Sequence, residues 1–285
     1  IYMVTLKNSD LAVKINELGA EVKSIYGFDT EYIWEGKKEI WGNSCPLLFP
    51  ICGGLKEDKY TVYGKEYSLP KHGYARNTMF RVESATDTTA VFLHTSNDET
   101  KKCFPFDYEL RVCYTLSGTS LKIEYRVDNK SDKTMYFSIG SHEGYYTPDG
   151  IEDYDVIFDQ NETLDTSALY GNLLADKTRR ILKDSNTLAL YEKYFAIDAL
   201  VFKNIKSRSA VLRNRKNGKA IKVDFGFAKY FLIWHKPYAP FICLEPWAGI
   251  PDTVGSDYDI AKKEGIISLD AAKTYTAEHT ITVLA

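Results

Sequence analysis

Apolar and polar residues alternate with a period of two along most of this chain. That period belongs to half-buried β-strands, whose successive side chains point to opposite faces. In "LAVKIN" (residues 11–16) it places Leu11, Val13 and Ile15 on one face. "YELRVCYTL" (108–116) and "SLKIEYRVDN" (120–129) alternate in the same way, and the intervening "SGTS" carries Gly118, so the two read as a hairpin. "AVFLHT", "MYFSIG", "YDVIFD", "AVLRN", "KAIKVDF", "YFLIWH", "FICLE" and "HTITVL" continue the pattern. "SDLA", "DNKSDK", "NRKNGK" and "LDAAKT" punctuate it with turn-forming Asn, Asp, Gly and Ser. Helical spacing is confined to residues 167–174 and to residues 257–263 ahead of Gly265. No strand–helix–strand alternation is present, which argues against a doubly wound parallel sheet. The expected fold is all-β, a large antiparallel β-sandwich with few short helices. No linker, low-complexity tract or fixed-period repeat divides the chain, so residues 1–285 read as a single domain.

Charge and composition narrow the partners. The 36 basic and 39 acidic residues are well mixed and give a net charge of -3. A nucleic-acid protein usually concentrates a basic surplus on one face, so that class loses support. No apolar run approaches the roughly 20 residues of a membrane-spanning helix. The opening "IYMVTLKNSD" lacks the basic and apolar regions of a signal peptide. The five cysteines are odd in number and lack C-x-x-C spacing. That pattern fits a reducing compartment and neither a disulfide framework nor a zinc site. The expectation is a cytoplasmic protein with no membrane partner. There, the glycosylation sequons at Asn129 and Asn161 carry no meaning.

Familiar cofactor and nucleophile motifs are missing. There is no G-x-G-x-x-G after a strand, no G-x-x-x-x-G-K-[ST] and no H-E-x-x-H. In "GSHEG" the serine directly follows the first glycine, so it is not a nucleophile elbow. Three stretches remain. In "LPKHGYARNTMF" (69–80), Gly73 lets the backbone turn tightly or approach a ligand. Arg76 there offers a planar fork for hydroxyl pairs, carboxylate or phosphate; a turn-capping His72 and a surface ion pair fit the same residues. "TMYFSIGSHEGYY" reads as a strand with His142 at its exit, either a proton carrier near neutrality or a bonded edge histidine. "FICLEPWAGIPDT" (241–253) places Glu245 at the end of an apolar strand. A carboxylate there is expensive unless paired or functional, and partial burial makes it a stronger base. Trp247 would add an aromatic wall; the 21 tyrosines fit ordinary sheet surfaces, where Tyr is common, as well as ring faces for a sugar.

Taken in order, "LAVKINELGAEVKSI" with its Gly19-Ala20 pair, "PLLFPICGGL", "LPKHGYARNTMF", "GSHEGYY", "DALVFKN" and "ICLEPWAGIPDT" make the chain resemble the aldose 1-epimerase (galactose mutarotase) superfamily. The likeness is greatest to its bacterial galactose mutarotase-related branch and covers nearly the whole chain. The resemblance implies a β-sandwich with an open cleft and interconversion of the α and β anomers of an aldohexose. It implies Glu245 as catalytic base and His142 as catalytic acid. It also implies sugar contacts from His72 and Asp198, with Arg76 lining the same cleft. No metal, nucleotide or redox cofactor is needed for such chemistry. Many relatives carry proline after the catalytic histidine, where this chain has Glu143. That residue could contact a hydroxyl, raise the His142 pKa or face solvent. "His-Gly-x-Ala-Arg" is similar to the hexose-6-phosphate epimerase branch, and Lys56, Lys59, Lys71 and Arg76 could supply positive charge for a phosphate. The expected partner is therefore a small sugar, free or phosphorylated, bound by a monomer or homodimer. A non-catalytic sugar-binding or sensor protein on the same scaffold is the alternative of a different class.

Overall fold

The alternating stretches form strands, and their burial follows the period. In the computed structural model, which describes residues 2–284, Tyr108–Ser117 and Ser120–Asn129 pair antiparallel from Tyr108↔Asn129 to Ser117↔Ser120. Along the first of them Tyr108, Leu110, Val112, Tyr114 and Leu116 are buried, while the residues between them are half-covered. Each large apolar side chain fully withdrawn from water contributes about 1.5–3 kcal/mol, so the pattern sets which face turns inward.

One antiparallel sheet of 15 strands organises the molecule. It runs from Leu47–Leu48 through Gly140–Ser141, Phe241–Trp247, Tyr230–Trp234, Leu200–Phe202, Tyr154–Tyr170, Ser209–Asn214 and Ala220–Asp224. It continues through Thr274–Leu284, Ser120–Asn129, Tyr108–Ser117 and Thr89–Thr95 to Arg81–Ala85. Glu143–Tyr146 joins beside Phe241–Trp247, and Leu173–Ala189 beside Tyr154–Tyr170. The sheet doubles back on itself. Six strands separate Glu143–Tyr146 from Thr274–Leu284 in the pairing order, yet Glu143 and His279 are in direct contact across the interior. A separate four-stranded sheet, Met3–Lys7, Ala12–Asn16, Glu21–Gly27 and Thr30–Glu31, lies against the hairpin, where the Tyr114 hydroxyl donates to the Ala20 carbonyl.

Both expected helices differ from the observed structure. Residues 167–174 are not helical. They are the turn end of the hairpin Tyr154–Tyr170 and Leu173–Ala189, with Tyr170 opposite Leu173. The turn residues are Gly171, at φ 60°, and Asn172, and a Gly-Asn pair of this kind closes a two-residue hairpin. Within 257–263 only the single 3₁₀ turn Ile260–Lys262 forms. The α-helix Asp98–Cys103 arises instead from "NDET". Asn97 accepts from the Glu99 and Thr100 N–H groups, and the Thr100 side chain returns a bond to the Asn97 backbone N–H. All five cysteines are free thiols. Among the described residues no helix is long and apolar enough to cross a membrane.

Candidate active site

The strand Phe241–Trp247 is buried along its whole length. Its even-numbered residues Ile242 and Leu244 belong to the main core, whereas Phe241, Cys243 and Trp247 belong to smaller clusters on the other face. Glu245 shares that second face. The neighbouring chain pairs with Gly140 opposite Trp247 and Glu143 opposite Leu244. This register sets His142 opposite Glu245, on the same face. His142 Nε2 lies 3.3 Å from Glu245 Oε2. Sheet pairing thus brings together two groups far apart in sequence.

Both open into a cleft of about 550 Å³. Trp41 and Trp234 flank the His142 ring at centroid distances of 5.1 and 5.6 Å. Trp247 uses its indole N–H on the Ser141 carbonyl at 3.1 Å, which leaves its ring as a wall. Burial pushes the Glu245 carboxyl well above its ordinary range, opposed by Lys71 and reinforced by Glu143 and Asp198. Burial, with Lys71 and Arg76 nearby, pushes His142 down to about 3. The two shifts act in the same sense, favouring a neutral carboxyl and a neutral imidazole over the charged pair. His142 Nδ1 and Glu245 Oε1 are buried and make no hydrogen bond within the protein, so both can bond a polar ligand.

His72 reaches the same cleft from a strained loop. Its φ is 69°, as is that of Gly73. A Cβ on Gly73 would lie 2.3 Å from the Phe49 carbonyl oxygen, so glycine is required there. The His72 backbone N–H donates to the Gly53 carbonyl, and the Gly53 N–H donates to His72 Nδ1 at 3.1 Å. Nδ1 is thus an acceptor. Burial, with His142, Lys71 and Arg76 adding to it, holds the imidazole well below its usual pKa. His72 is consequently neutral and keeps its proton on Nε2 as a donor. Its ring meets those of His142 at 5.7 Å and Trp247 at 5.4 Å.

Arg76, Lys71 and Asp198 also line the cleft. Arg76 Nη2 donates to the Lys71 carbonyl at 3.1 Å, and among the described residues neither cation is in an ion pair. Asp198 Oδ1 accepts the Ala199 N–H at 2.7 Å. Two lysines expected near a phosphate are elsewhere. Lys56 bonds the Ser256 carbonyl and lies over the Tyr258 ring, and Lys59 pairs with Glu66. Glu143 is also not a cleft residue. It shares the inner face with its register partner Leu244 and is 1 % exposed. There it accepts from Ser141 Oγ at 2.7 Å and meets His279 Nε2 at 2.8 Å. The period of two explains this, since the neighbour of an outward-facing His142 points inward. Trp41, Trp234 and His235 line the cleft as well, with His235 held between the Phe241 carbonyl and Glu192. Nothing in sequence spacing linked Trp41 to His142, because a loop carries it there. For a metal, the donors of His142, Cys243 and Glu245 lie within 4.8 Å of one another. Burial raises the Cys243 thiol well above its ordinary pKa, so it is a neutral thiol and a poor ligand at neutral pH.

The aldose 1-epimerase family model matches residues 2–256. The chain belongs to the aldose 1-epimerase family. This family member is 31 % identical to the plasmid-borne protein LacX of Lactococcus lactis subsp. lactis, over 99 % of both chains. Among solved structures it is similar to a galactose mutarotase related enzyme from Lactobacillus acidophilus, with 34 % identity, a TM-score of 0.95, and coverage of 100 % of this chain and 98 % of that one. A galactose mutarotase-like protein from Lactobacillus casei is 30 % identical with a TM-score of 0.93, covering 99 % and 100 %. A galactose 1-epimerase from Lactobacillus acidophilus, at 14 % identity and TM-score 0.74, shares the fold. Membership supports a mutarotase-type activity of a carbohydrate epimerase and implies a sugar as substrate.

Proposed function

We propose that this family member interconverts the α and β anomers of an aldohexose, with Glu245 as base and His142 as acid. The observation that carries the proposal is the pair itself, His142 Nε2 lying 3.3 Å from Glu245 Oε2 where both side chains line the cleft. With one proton between the two groups, its placement on His142 gives the carboxylate and imidazolium that ring opening needs. The carboxylate takes the C1 hydroxyl proton, the C1–O5 bond breaks as the C1 carbonyl forms, and O5 receives the His142 proton. C1 then turns about the C1–C2 bond. Closure reverses both transfers on the opposite face, so the protein ends as it began. His72 Nε2–H can donate to O5 or a hydroxyl, Asp198 can accept from hydroxyls, and Trp247 offers its ring to the sugar's C–H face.

The test is polarimetry or exchange NMR over a panel of free aldohexoses against a buffer blank. Wild-type acceleration that Glu245→Gln lowers by about 10²-fold or more is the expected result. Saturable sugar binding without faster anomerisation would replace catalysis with a binding role. Lys71 and Arg76, free of carboxylate partners, favour a second substrate class, the hexose 6-phosphates. A rate comparison of glucose with glucose 6-phosphate, repeated in Arg76→Ala, decides between them. Preference for the unphosphorylated sugar rejects the second class.

A further inference from the structure

Behind the cleft floor lies a buried polar group that the proton transfer does not use. Ser141 and Glu143, on either side of His142, both point into the interior between the sheets. Ser141 Oγ donates to Glu143 Oε2 at 2.7 Å. Glu143 Oε1 lies 2.8 Å from Nε2 of His279, which projects from the opposing strand Thr274–Leu284. The Glu143 and His279 side chains are 1 % and 0 % exposed. Interiors rarely hold such a pair, because desolvating it costs much of what its attraction returns. Among the described residues Glu143 forms no other ion pair. Cys45, Tyr114, Tyr125 and Tyr145 all feel the Glu143 charge and are all held neutral by burial. The network continues to the cleft, since the Ser141 carbonyl accepts the Trp247 indole N–H.

Given the proton transfer proposed above, the geometry points to Glu143 and His279 as positioning residues for His142. They clamp the chain on both sides of His142 and set a negative charge behind Glu245. Two consequences follow. First, His142 cannot tilt without breaking the Ser141–Glu143–His279 contacts, so its distance to Glu245 is fixed from the inner face. Second, Glu143 is one of the charges that raise the Glu245 pKa, alongside Asp198 and against Lys71, with burial the largest cause.

The experiment uses Glu143→Gln, which keeps the shape and removes the charge, and His279→Gln, which keeps a donor toward Glu143. Glu143→Gln should lower kcat on the order of 10- to 100-fold with KM within about twofold, as expected when a reacting group is misaligned. The alkaline limb of its rate profile should move to lower pH, because Glu245 loses a raising charge. His279→Gln should retain most of kcat. A merely structural role would change the melting temperature and leave the limb in place. Unchanged kcat and an unmoved limb in a folded Glu143→Gln protein overturn the inference, and if that variant does not fold, equal losses of kcat and gain of KM in His279→Gln do so. Failure of the proposed activity is seen separately, as a wild type no faster than buffer. In that event ¹⁵N-imidazole NMR of His142 replaces turnover. Ring shifts that differ between wild type and Glu143→Gln support the clamp, and identical shifts overturn it.

Discussion

Lowering the pH gives the most direct check on the cleft chemistry. The proposed acid–base pair needs one proton between Glu245 and His142. A second proton, placed on His142 while Glu245 keeps its own, leaves no base. The pH at which this occurs is set by His142, which burial and the nearby Lys71 and Arg76 push down to about 3. Had His142 an ordinary imidazole pKa near 6.5, the single-proton form would fall roughly 30-fold between about pH 8 and about pH 5. At the depressed value it falls by only about 1 % over the same interval. His72, also held neutral by burial, adds no limb of its own. The assay is kcat/KM for an unphosphorylated aldohexose by polarimetry, with the buffer-catalysed rate subtracted and circular dichroism checking that the fold persists. A substrate without a phosphate has no ionisation of its own in this range. The expected profile is flat through the usual histidine region. An acid limb with its midpoint between about pH 6 and 7, in folded protein, would refute the account of His142 as a buried neutral imidazole.

Other perturbations test the scaffold. Gly73→Ala must adopt φ 69° and meet the Phe49 carbonyl at 2.3 Å, and urea titration should show a loss of about 1–3 kcal/mol. Lys263 and Asp252 form a buried pair at 2.9 Å with side chains 4 % and 5 % exposed; Lys263→Ala leaves the carboxylate unpaired and should cost about 3–5 kcal/mol in the same titration. Asn97→Ala removes the capping box of Asp98–Cys103, so it should lower stability by about 1 kcal/mol and leave anomerisation unchanged. His72, His142 and His94 all have depressed pKa values. Each binds its proton more readily when unfolded, so each stabilises the fold above about pH 6.5 and loses that contribution as pH falls. Glu245, raised by burial, acts in the opposite sense, stabilising at low pH and losing that as pH rises. With three groups against one, the urea midpoint should drop between about pH 6.5 and pH 5, and a rise over that interval would count against the buried neutral histidines.

Much of this molecule was legible because strands write their faces into sequence. The Tyr108–Asn129 hairpin was readable from alternation and Gly118 alone, and the burial pattern obeys the same period. Glu245 was legible as an acid closing an apolar run. The errors have local causes. Residues 167–174 contain Ala and Leu at helix-like spacing, and the Gly171-Asn172 turn outweighed them because each arm of the hairpin finds a partner. Neither a hydroxyl contact nor a solvent-facing position suits Glu143, because adjacency to His142 on a strand turns it to the opposite, inner face. Lys56 and Lys59 were grouped with Lys71 by proximity in sequence, while the loop turns them toward Ser256 and Glu66. The aromatic surround of His142 was hidden for a different reason. Trp41 and Trp234 reach it from a loop and from a neighbouring strand, and no periodicity encodes contacts made across such distances in the chain.

Because Gly140 and Glu143, on either side of His142, pair with the strand that carries Glu245, the two groups are brought together by the same hydrogen bonds that zip these strands. No loop has to close to bring them together. Heat inactivation and cooperative melting should then be one event, with catalytic activity, intrinsic tryptophan emission and backbone order lost at a common temperature. The surrounding loops, which carry Trp41, Arg76 and Asp198, are free to diverge in what they recognise without disturbing the machinery beneath them.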